Sequence, residues 1–86
     1  MAMYDLQRGA EQLNRLNLLF ELTKIRSKNV RKAVELVLVN GYQEELAACA
    51  IDIDKKAIYR AIARLNNVNA IVEQIKEIDC GRRKPQ

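Results

Sequence analysis

From Ile58 onward, apolar side chains return every three or four residues, at Ile58, Ala61, Ile62, Leu65, Val68, Ile71, Val72, Ile75 and Ile78. That spacing follows the 3.6-residue helical period rather than strand alternation, so it predicts one helix of about six turns. Asn66-Asn67 is where a kink would fall, and Gly81 is the expected end. A helix of that length claims much of an 86-residue chain. The remainder must be short elements laid against it around a single core, because so small a chain has no room for a second one.

The upstream sequence also reads as helix. Between Leu6 and Ile25 the apolar positions are Leu6, Ala10, Leu13, Leu16, Leu18, Leu19, Phe20, Leu22 and Ile25. This pattern suits one or two amphipathic helices, with a break at Asn14 and Asn17 if there are two. Ser27 is a good N-cap for the next helix, whose buried face is Val30, Ala33, Val34 and Val37. Asn40-Gly41 offers a left-handed C-cap, and it is also a strong hairpin signal. A hairpin fails for want of a second strand. The residues from Gln43 to Ala50 do not alternate, and their alanines favour helix.

Residues of about 43–65 fit a helix-turn-helix. Ala48 supplies the small side chain where two helices cross. Ile51 ends the first helix, and Asp52 stands where a left-handed or turn geometry is needed. Ile53 plugs the turn, Asp54 caps the second helix, and Ile58 with Ala61 or Ile62 anchors it. If Ile58, Ile62 and Leu65 face inward, then Lys55, Lys56, Tyr59, Arg60 and Ala63 face outward. The N-terminal part of such a second helix meets base edges or phosphates in DNA complexes. Lys55 and Lys56 supply charge, and Tyr59 stacks on sugar or donates to a phosphate. Arg60 is the best candidate for reading a guanine or a narrow minor groove. Arg64 completes the basic set on this helix, and Lys28, Arg31 and Lys32 on the preceding helix are the expected phosphate contacts.

A net charge of +4 is too small to argue for nucleic acid alone, but its distribution adds weight. Lys24, Arg26, Lys28, Arg31 and Lys32 form one acid-free group, and Lys55, Lys56, Arg60 and Arg64 form another. Such segregation makes a basic face on a weakly charged protein. Residues 81–86 are expected to be a flexible basic tail after a single helical domain over residues 1–80.

The same sequence argues against catalysis. It has no histidine, and its one serine and one threonine, Ser27 and Thr23, make no nucleophile–base pair. No glycine-rich phosphate loop occurs, and no metal site or cofactor is expected. Cys49 and Cys80 are too far apart for a C-x-x-C pair. Both are expected to be reduced thiols in a cytoplasmic protein, Cys49 as a small core or semi-buried residue. No transmembrane helix or signal peptide is expected.

Residues 27 to about 75 resemble the bacterial fimbrial (adhesin) biosynthesis regulators, the PapB-type family. The resemblance lies in Ser27-x-x-Val30-x-x-Ala33, Leu38-Val39-x-Gly41, the small Ala48, and Arg64-Leu65-x-x-x-Asn69-Ala70, in that order and without a gap. It implies an all-helical DNA-binding regulator of surface-adhesin operons, acting as an oligomer, often at A·T-rich sites. The helix bearing Lys55, Lys56 and Arg60 is more basic than expected for the family, so a target sequence does not carry over.

The expectation is therefore an all-α domain with a helix-turn-helix and a long C-terminal helix. It would bind double-stranded DNA as a homodimer or higher oligomer and regulate transcription. A plasmid-type repressor is the nearest alternative. A small helical protein-interaction module, an anti-activator or adaptor, is the rival from another class. The stripe from Val68 to Ile78 is open to two readings, packing on the chain's own first helix or a dimer seam.

Overall fold

The structure, a computed structural model, describes residues 6–83, with side chains described as far as Cys80. Four helices occur in the order α1 (Leu13–Thr23), α2 (Lys28–Leu38), α3 (Glu44–Ile51) and α4 (Lys55–Arg83). No strand occurs among the described residues, so the hairpin alternative at Asn40-Gly41 is not formed.

Helix α1 is a single helix. Asn14 and Asn17 lie on its exposed side and do not break it, while Leu16, Leu19, Phe20 and Thr23 turn inward. The non-helical part is the segment before it. Gly9 adopts φ 72°, and its amide donates to the Val37 carbonyl at 3.0 Å while that of Glu11 donates to the Leu38 carbonyl at 2.9 Å. These are carbonyls of the last turn of α2, which have no partner within the helix. Gly41, at φ 84°, adds its own amide to Val37 at 3.2 Å. The two glycines touch, and a Cβ on Gly9 would stand 3.2 Å from the Gly41 Cα. The entry segment is thus the cap on α2, and the expected C-cap at Gly41 is only half of it.

Ser27 starts α2 as its N-cap, its Oγ accepting from the Val30 amide at 3.3 Å. Ala33, Val34, Val37 and Leu38 then form the buried face. The core joins these to Leu16, Leu19 and Phe20 of α1, Ala47 and Ala48 of α3, and Ile58, Ala61 and Leu65 of α4. Two further ties fix α1 on α4. The Arg15 guanidinium reaches Glu11 at 2.9 Å, Glu73 at 2.8 Å and Asn69 at 2.5 Å. The Asn66 side-chain oxygen accepts the Leu6 amide at 2.9 Å. The Lys76 ammonium and then Arg15 hold the Glu73 carboxyl below the usual carboxylate range.

Helix α4 runs unbroken through Asn66-Asn67 and does not stop at Gly81, continuing to Arg83. A single glycine weakens a helix by about 1 kcal/mol relative to alanine without terminating it. Of the basic tail expected at residues 81–86, the first three are helical and 84–86 lie outside the described residues. The apolar stripe outruns its cover. Leu65 is fully buried, and Val68 and Val72 are partly buried, but Ile71, Ile75 and Ile78 are 58%, 52% and 57% exposed. Helix α1, with 11 residues, is too short to cover a helix of 29. Cys49, expected in or near the core, is exposed, because α3 turns Ala47 and Ala48 inward instead.

Candidate nucleic-acid interface

Helices α3 and α4 and the three residues between them form a helix-turn-helix. At the end of α3, Asp52 takes the left-handed conformation, φ 62° and ψ 52°. The Ile53 amide closes the turn onto the Ala48 carbonyl at 3.0 Å. Ile53 itself packs against the core, as the plug of the turn must. Asp54 caps α4, its Oδ1 accepting from the Lys56 amide at 3.0 Å. Ala48 is buried where the helices meet, so each turn role read from the sequence is filled by the residue assigned to it.

A left-handed aspartate costs more than a left-handed glycine, because its Cβ crowds the backbone. Asp52→Gly is therefore expected to raise stability by about 0.5–1 kcal/mol, visible as a melting temperature a few degrees higher. A lower melting temperature would mean that the Asp52 carboxylate makes a contact that offsets this strain.

The outward face of α4 follows from the inward one. Ile58 and Leu65 are fully buried and Ile62 is partly buried. Their helical spacing leaves Lys55, Lys56, Tyr59, Arg60, Ala63 and Arg64 exposed. This face is not purely basic. Glu45, at the start of α3, places Oε1 3.9 Å from the Lys55 ammonium and 3.5 Å from the Tyr59 hydroxyl. Desolvation, then the carboxylates of Glu45 and Glu44, push the Tyr59 hydroxyl above its ordinary pKa and keep it a protonated donor. The sequence gave no sign of this neighbour, since a contact across the turn depends on the crossing of two helices.

The cations expected on α2 are divided. Lys28 and Lys32 are exposed on its solvent side. Arg31 is half-buried, its Nε donating to the Ile25 carbonyl at 2.5 Å and its guanidinium lying 5.3 Å from the Phe20 ring centroid. It buttresses the α1–α2 junction, and its hydrogen-bonding capacity toward a phosphate is reduced accordingly. Arg64 is also tied, donating from Nη2 to the Thr23 carbonyl at 3.1 Å, yet its side remains open to solvent.

Two cations that were part of the first basic group, but not of the expected contact set, come close to α4. Lys24 and Arg26 in the α1–α2 junction, with Arg60 and Arg64, line a groove of about 280 Å³. Lys28, Arg31 and Lys32 do not line it. Lys24 precedes Ser27 by three residues, but nothing local says that residues near 60 lie opposite. Among the described residues, no cluster of acidic, histidine or cysteine side chains suits a metal ion. No helix among them is long and apolar enough to cross a membrane.

Compared with protein-family models, curated proteins and solved structures, the chain finds no match.

Proposed function

We propose that the chain is a sequence-specific DNA-binding transcription regulator that acts by occupying an operator as an oligomer. The observation that carries this reading is the outward face of α4. Lys55, Lys56 and Arg60 stand exposed on the first turns of the second helix of a helix-turn-helix, with Tyr59 among them. That is where a recognition helix presents its side chains to a groove. A fimbrial or adhesin operon as the target, and a preference for A·T-rich sites, rest on the resemblance alone. A plasmid-type repressor would use the same face.

Oligomeric binding is supported by the uncovered stripe of α4. Val68, Ile71, Ile75 and Ile78 are spaced three, four and three apart, the alternation by which one helix seats against another copy. The same exposed isoleucines favour one other reading, a protein-interaction module that grips a partner's helix.

Fluorescence anisotropy on A·T-rich and G·C-rich duplexes at several salt concentrations separates these readings. With on the order of five phosphate contacts, affinity is expected to fall about 10²–10³-fold between 50 and 200 mM salt. A DNA reader also prefers one duplex over the other. Absence of binding to either duplex at low salt would leave the interaction module.

A further inference from the structure

The groove between the α1–α2 junction and α4 has the properties of an anion seat. Ile25 is buried and pins the junction, while Lys24 and Arg26 on either side of it are exposed. The junction is held from both directions, by Arg64 on the Thr23 carbonyl and by Arg31 on the Ile25 carbonyl. Across the groove stand Arg60 and Arg64, one helical turn apart, with the small side chains of Ala57 and Ala61 leaving room between the walls. Four cations line the space and no carboxylate does. Ser27 lines it too, and there α2 begins, with first-turn amides lacking helical partners and a dipole that favours negative charge.

The backbone at Lys24 is a separate indication. It is left-handed, φ 58°, in the C-cap of α1. Glycine is the residue that fits such a position without strain. A lysine there carries a conformational cost and contributes no contact to the core.

We infer that this groove seats a backbone phosphate of duplex DNA, so that one strand crosses the protein at the start of α2 while α4 lies in the adjoining groove. The inference rests on the DNA-binding reading and deepens it. Lys24 and Arg26 hold the phosphate from the junction side, Arg60 and Arg64 from the helix side. Arg60 then acts on the DNA backbone rather than on a guanine. Base reading falls to Lys55, Lys56 and Tyr59, which do not line the walls that Arg60 and Arg64 form.

The test uses the whole chain and a Lys24→Gly, Arg26→Ala variant. Glycine suits the left-handed backbone, so the variant is expected to melt no lower than the parent, which separates lost binding from lost fold. Inorganic phosphate, followed by nitrogen-15 NMR, should shift the amides of Ser27, Lys28 and Asn29 and the Nε signals of Arg60 and Arg64. The variant should lose these shifts. On duplex DNA the variant's log–log salt slope should be shallower by about 2, with the ratio of A·T-rich to G·C-rich affinity unchanged. Duplex binding with an unchanged slope, and no phosphate shifts at these groups, would overturn the seat and leave the DNA-binding reading standing. Phosphate shifts in the groove of a protein that binds no duplex would overturn both, marking a free-anion site.

Discussion

Ile58→Ala is expected to lower the melting temperature by about 15–25 °C, enough to unfold a substantial fraction of the chain at physiological temperature. Ile58 has no exposed surface, and its side chain is among the largest that are fully buried. Truncating such a residue removes transfer free energy and leaves a cavity, costing about 2–5 kcal/mol. A chain this size holds on the order of 5–10 kcal/mol of net stability, and each kcal/mol moves the midpoint by about 4–8 °C. The comparison is Ile78→Ala, the same chemistry at a site 57% exposed and beyond the reach of α1. In dilute monomer that change should move the midpoint by no more than a degree or two, since surface truncations cost little. Thermal circular dichroism on both variants makes the check. If Ile58→Ala melted beside the parent, α4 would not be packed by this face, and the outward direction of Lys55, Lys56 and Arg60 would lose its basis.

The parts of the fold visible in the sequence are those fixed by local chemistry. Ser27 and Asp54 are short polar residues immediately before apolar-periodic runs, and both cap the helices they were expected to cap. Asp52 holds the left-handed turn because its place between Ile51 and Ile53 leaves no other residue to do so. What stayed hidden depends on contacts between distant segments. The apolar period ran back through Ala10 to Leu6, suggesting helix, but Gly9 is drawn off to cap α2 beside Gly41. The capping bonds join residues separated by more than half the length of a helical pair, and periodicity is blind to them. Arg31 looked like any solvent-side cation, yet Phe20 and the Ile25 carbonyl claim it. Gly81 carried a stop signal that the turns of α4 before it override. The stripe from Val68 to Ile78 was legible as helix, but the extent of its cover was not. That depended on where α1 begins, and α1 begins at Leu13, after the capping segment.

The candidate interface divides in the same way. Its α4 residues follow from one buried face, so Lys55, Lys56, Tyr59 and Arg60 were accessible to periodicity alone. The pairing of Lys24 and Arg26 with Arg60 and Arg64 required α1 and α4 to be brought together, which the Arg64–Thr23 hydrogen bond records. Charge segregation along the chain had grouped the right residue types without indicating which of them share a groove.

Replacing Lys55, Lys56 and Arg60 together by alanine is expected to weaken DNA binding by at least 10²–10³-fold at about 100 mM salt and leave the fold intact. The structural half of this rests on exposure, since all three side chains lie outside the core. Lys56 is held at the helix start through its backbone amide on Asp54, which alanine retains. The Lys55–Glu45 pair is long, and both partners are more than half exposed, so its loss is worth well under 1 kcal/mol. Alanine is the better helix former at each position, which offsets that loss. The binding half rests on charge. Each cation that meets a phosphate contributes about 0.9 to the salt slope, so three removed together should flatten it by about 2.7. Any of them that meets a base edge removes a further 1–3 kcal/mol of discrimination. Those two losses have different signatures: a phosphate contact weakens every duplex alike, whereas a base contact narrows the gap between preferred and unpreferred sequence. Arg60→Ala alone against Lys55→Ala, Lys56→Ala therefore assigns the roles, with the first expected to weaken all duplexes evenly and the second to erase the preference. Full binding by the triple variant, with its melting temperature unchanged, would move the reading surface off α4 and end the helix-turn-helix account of how this chain meets DNA.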